Sequence, residues 1–137
     1  MIIAIDFDGT SVEHYYPKLG PTIPGAVQTI KKPIAARHQI ILWTMRDGKE
    51  LQDAVNWYKA YDIPLFGINK NPDQDWSKSP KAYAQLYIDD AAAGCPLIFP
   101  PPTFTTNEQG EKIKVTPRPF VNWVKMEEFL FTRGILK

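Results

Sequence analysis

Apolar residues fall into short unbroken runs, set apart by polar stretches rich in proline and glycine. The first run, MIIAI at 1–5, is bounded by polar turn residues, a pattern that predicts a strand buried on both faces of a parallel sheet. Similar runs at 39–43, 64–68, 83–88 and 95–99 predict four more strands. Between them, helical spacing appears at 26–37, with Ala26, Val27 and Ile30 on the inner side, and at 49–61, with Leu51, Val55 and Tyr58 on one face. Pro33 should kink or split the first helix, because it lacks an N–H and crowds the preceding turn. Asp47-Gly48 supplies a cap for the second. A last helix is expected at 121–132, with Trp123, Met126, Phe129 and Leu130 as core contacts.

The remaining segments read as connections. Residues 11–25 carry three prolines and two glycines, which predicts a surface excursion, and 69–81 is polar with no fixed path. Residues 100–119 hold five prolines around a polar centre, TTNEQGEK, and predict a loop or loose hairpin. Strands alternating with helices imply an α/β fold, a parallel sheet with right-handed crossovers, in a single domain over 1–137.

Composition narrows the class. At 137 residues and 44% hydrophobic, the chain can bury a real core. Its net charge of +1 gives no reason to expect a nucleic-acid or membrane surface, so a small molecule is a better partner than nucleic acid. Ile2 to Ile5 is too short for a membrane span or signal peptide. Cys95 is the one cysteine, so no intramolecular disulfide forms, and a cytoplasmic location is expected.

Ligands of open parallel sheets bind at the carboxyl ends of the strands. In chain order those ends carry Asp6 and Asp8, Thr44, Asn69-Lys70, and Asp89-Asp90. Each has a bland reading alone: Asp8-Gly9 as a turn, Thr44 as a helix cap, the last aspartates as a solvated loop. Their gathering on one edge favours a site. Arg46 offers a planar fork for a substrate phosphate or carboxylate. Lys70 starts at that edge, whereas Lys81, at the head of the fourth strand, lies about eight residues short of it. His14 is expected to be exposed on the excursion without a catalytic task, and Cys95 to be a buried small hydrophobe. Trp43, Trp57 and Trp123 read as core.

Three stretches resemble the haloacid dehalogenase-like hydrolases: DFDGT their first motif, IILWT their second and YIDD their fourth. The resemblance implies a Rossmann-like three-layer sandwich around a central parallel sheet, without a large cap domain. It further implies that Asp6 is a nucleophile forming an aspartyl-phosphate and that Asp8 is the general acid and base. Mg²⁺ would be held by Asp6, Asp8 through its backbone carbonyl, and Asp89 or Asp90. The backbone N–H groups from Phe7 to Gly9, with the Thr44 hydroxyl, would bind phosphoryl oxygens. Lys81, shortly before YIDD, fits the family's lysine by position. The activity implied is a Mg²⁺-dependent phosphomonoesterase, with an open site covered by a large substrate or a second copy of the chain. A phospho-accepting receiver-like domain orders its acidic pair differently. A dehalogenase has no use for Asp8, and a catalytically silent binding protein need not keep all four aspartates.

Overall fold

The computed structural model describes residues 1–137. Four strands, β1 (Ile2–Ile5), β2 (Gln39–Leu42), β3 (Gly67–Ile68) and β4 (Leu86–Ile88), form one parallel sheet in the order β3-β2-β1-β4. Helix α1 (Ala26–Ala35) crosses from β1 to β2, and α2 (Gly48–Ala60) from β2 to β3. The chain then returns past β1 to add β4 on its far side, so the topological switch point lies between β1 and β4. No helix is long and apolar enough to cross a membrane.

Alternation along the strands divides the core in two. Ile3 and Ile5 of β1, Ile40 and Leu42 of β2 and Ile88 of β4 enter a cluster of 20 buried residues. α1, α2 and α3 (Trp123–Thr132) all pack on this face, contributing Ile30, Trp57, Tyr58, Trp123 and Leu130. Ala4 and Ile41 point the other way, into a cluster of four completed by Ala82 and Ala84. The result is a Rossmann-like three-layer α/β sandwich, whose third layer is the irregular chain 69–85 lying across the sheet's second face.

Several elements depart from the sequence expectation, each for a local reason. α1 runs unbroken through Pro33, which sits buried in its last turn, two residues before the helix ends. Asp47 precedes α2 as expected, but its side chain makes no cap bond. β4 is shorter than 83–88 because the backbone of Tyr83 is already bonded to side chains: its N–H donates to Gln74 Oε1, and its carbonyl accepts from Asn71 Nδ2. β5 (Leu97–Ile98) is not a fifth strand of the sheet; it pairs antiparallel with β8 (Phe120–Val121). Val121 is therefore strand, and α3 begins after Asn122, whose side chain accepts from the Lys125 N–H. Phe129 is partly exposed rather than core. The proline-rich stretch folds as an antiparallel hairpin, β6 (Thr103–Thr106) and β7 (Lys112–Val115), exposed throughout.

Candidate active site

The strand register builds the site directly. Ile5 pairs with Leu42 and Ile88, and Leu42 with Ile68. Each ladder then runs one residue past its strands: Trp43 N–H donates to Ile5 O, Asp6 N–H to Ile88 O, and Asn69 N–H to Leu42 O, at 2.8–2.9 Å. Asn69, Trp43, Asp6 and Asp89 consequently form a row across the carboxyl edge, adjacent members about 4.8 Å apart. Because alternation sends Ala4, Ile41 and Tyr87 to the second face, Asp6, Trp43 and Asp89 two residues on follow them. With Thr44 and Met45, the row lines a cleft of about 290 Å³.

Asp6 is crowded by its own kind. Burial, the Asp90 carboxyl hydrogen-bonded to it and the charge of Asp89 push its carboxyl up to about 8, against opposing bonds from the Phe7 N–H and the Thr10 hydroxyl. Burial likewise raises Asp89, with the neighbouring Asp90 charge adding to it. Asp6, Asp89 and Asp90 each offer an oxygen within 4.8 Å of the others. An all-carboxylate donor set that resists joint ionisation suits a hard, oxygen-seeking cation. Asp6 and Asp89 face the cleft, whereas Asp90 is turned toward the excursion after β1. There Thr10 donates to Asp6 Oδ2 at 2.9 Å and lies 3.4 Å from Asp90 Oδ1, and His14 Nε2 lies 2.8 Å from Asp90 Oδ2.

Asp8 has a different environment. Arg46 grips it bidentately, Nε to Oδ2 at 2.7 Å and Nη2 to Oδ1 at 2.8 Å. The remaining guanidinium donors reach the carbonyls of Lys18, Pro17 and Glu50. All five N–H groups are thus taken, the residue is 2% exposed, and the cation lies over the rings of Phe7 and Tyr16. The Asp8 pairing, with burial opposing it, raises the Arg46 pKa still further.

These contacts correct several expectations. Arg46 does not point at substrate; it ties Asp8 to the excursion at 17–18 and to α2. Asp8 cannot lend its side chain to a cation at this position, although its backbone carbonyl accepts no bond from the chain. Gly9 spends its N–H on Val12 O at 2.6 Å and the Phe7 N–H turns to the Asp6 carboxylate, leaving Asp8 as the amide free to meet an anion. Gly9 is needed for another reason: its φ is +84°, and a Cβ there would strike His14 and Asp90. Lys81 is carried away from the edge, its ammonium over the Tyr87 ring. Lys70 is exposed just beyond Asn69, and neither lysine pairs with a carboxylate. Thr44 is in the cleft as expected; its Oγ1 accepts from the Arg46 N–H. Trp57 and Trp123 are core, but Trp43 is half-buried in the cleft wall. His14 is no idle surface residue, since it and Asp90 hold each other largely out of solvent. Cys95 is only partly buried, and burial pushes its thiol up to about 11, away from nucleophilic use. Sequence reasoning gave no role to Thr10 or Asn69, although Thr10 stands inside DFDGT.

No protein-family model and no curated protein matches the chain. Among solved structures it is similar to the conserved protein coded by a locus from Bacteroides thetaiotaomicron. The two are 33% identical over 97% of this chain and 91% of that one, with a TM-score of 0.70. The chain belongs to the family of that conserved Bacteroides protein.

Proposed function

We propose that the protein is a Mg²⁺-dependent phosphatase of the haloacid dehalogenase-like kind, acting on a small phosphomonoester in the cytoplasm. The observation that carries this reading is the row itself. Asp6 and Asp89 face one cleft with no cationic side chain between them, beside the Thr44 hydroxyl and the free amide of Asp8. Asp6 and Asp89 would hold the cation, with the Asp8 carbonyl, while Asp90 is steadied by Thr10 and His14. When bound, Mg²⁺ supplies charge that lets carboxylate and phosphate approach each other.

The chain's own groups account for the rest. Asp6 Oδ attacks phosphorus, an aspartyl–phosphate bond forms, and the ester P–O bond breaks. The departing oxygen takes a proton from the Asp8 carboxyl, which then receives one from the water that hydrolyses the acyl phosphate and frees Asp6. The Asp8 amide and the Thr44 hydroxyl hold equatorial oxygens through both steps. Asp8 must leave the fork of Arg46 to do this.

That requirement favours a second reading, a phospho-accepting protein whose aspartyl-phosphate persists because Asp8 stays clasped. Hydrolysis of para-nitrophenyl phosphate with and without Mg²⁺, in wild type, Asp6→Asn and Asp8→Asn, separates the two. Metal-dependent turnover abolished by Asp6→Asn supports the phosphatase. One equivalent of nitrophenol with no turnover supports the phospho-acceptor, and full activity in Asp6→Asn sinks both.

A further inference from the structure

We infer that the ester hydrolysed at this site carries a planar aromatic ring on, or one carbon removed from, the oxygen that leaves phosphorus. The inference rests on the phosphatase reading above and follows from what stands beside Asp6 in the row.

Trp43 is the in-register neighbour of Asp6, so a phosphorus atom attacked by Asp6 has an indole ring at its flank. In-line attack sends the leaving oxygen away from Asp6, outward along the strand direction. Met45 lies two residues beyond Trp43 on the same chain. It lines the cleft while being 97% exposed, with no protein partner to account for an apolar side chain beside carboxylates. An indole face and a polarisable thioether are the surfaces that a flat aromatic group meets best.

Charge disfavours bisphosphates and phosphorylated acids. The cleft is lined by Asp6, Trp43, Thr44, Met45, Asn69 and Asp89, with no lysine or arginine. A second phosphate or a carboxylate on the substrate would find no lysine or arginine in the lining, and the cation is taken by the reacting phosphate. The fitting substrate is a small, otherwise uncharged aromatic phosphomonoester.

Benzyl phosphate and cyclohexylmethyl phosphate test this, since both lose a primary alkoxide of similar basicity and differ in the flatness of the ring. With Mg²⁺ present, kcat/KM for the benzyl ester should exceed that for the cyclohexylmethyl ester by about fivefold, the scale of one aromatic contact. Trp43→Phe should keep the preference, and Trp43→Leu should bring the ratio close to one. Met45→Ala, at a fully exposed position that cannot disturb folding, should lower it by about half. Equal rates for both esters in wild type, or a preference untouched by Trp43→Leu and Met45→Ala, would overturn the substrate class and leave the phosphatase standing. Failure to hydrolyse either ester, or para-nitrophenyl phosphate, overturns both.

Discussion

The four aspartates that follow β1 and β4 come in two near-adjacent pairs, and the fold separates each pair into opposite environments. Asp6 and Asp89 go to the open row, where nothing positive meets them. Asp8 and Asp90 go to the clasp beneath the excursion, where Arg46 and His14 hold them. The difference shows that carboxylate count is a poor guide to a site. Two of the four are left short of positive charge, as a cation or phosphoryl chemistry requires, and two are used to fasten chain to chain.

The largest effect should come from breaking the clasp. Arg46→Leu leaves the mostly buried Asp8 carboxylate without its partner and strands three carbonyls, which should cost about 3–5 kcal/mol. Urea unfolding measures it, and a loss below about 1 kcal/mol would mean that the clasp is not structural. Arg46→Lys should recover little, because a point charge cannot replace a fork with five donors.

The open row should respond to pH and metal instead. The folded-state pKa of Asp6, about 8, lies above its unfolded value near 4, so its stabilising share is full below about pH 4. That share is lost as pH rises toward 8, no more steeply than about 1.4 kcal/mol per pH unit for the one group. Asp6→Asn should flatten this fall, with a smaller slope remaining from Asp89, whose shift has the same sign. Mg²⁺ at about 100 times its Kd should restore about 2.7 kcal/mol to wild type at pH 8 and markedly less to Asp6→Asn. Thermal melts at several pH values, with and without metal, give both results; a wild-type Tm that rises from pH 5 to 8 without metal would contradict the open row.

The smallest effect belongs to Lys81. Lying over Tyr87, it contributes about 0.5–1 kcal/mol of cation–π attraction, and Lys81→Ala should leave metal-dependent turnover intact. Loss of turnover in that variant would show that the lysine reaches the carboxylates after all.

Sequence pattern located β1, β2 and α2 well, because buried strands and one-sided helices write their periods into the chain. It overextended β4, since the ladder bonds of Tyr83 are replaced by Asn71 and Gln74, a competition invisible to periodicity. An apolar pair such as Leu97–Ile98 says that something buries it, not which strand it joins, so β5 was assigned to the wrong sheet. The strand ends announced where the site lies. Which carboxylate would meet which partner is beyond the reach of sequence, because Arg46 is 38 residues from Asp8 and His14 is 76 from Asp90. Asn122, three residues before Lys125, was a legible helix start that the apolar Val121 obscured.

On the sheet's second face, four buried residues stand where the first face has twenty. Ala82 and Ala84 let the chain lie flat against β1 and β2 but offer almost no area to bury, so the cover is held by its own side-chain bonds more than by the sheet. Local opening there costs far less than unfolding the helical side. The amides of 69–85 should exchange with solvent well before those of the helical side, and Asn69, at the end of the row, is hinged to that looser layer.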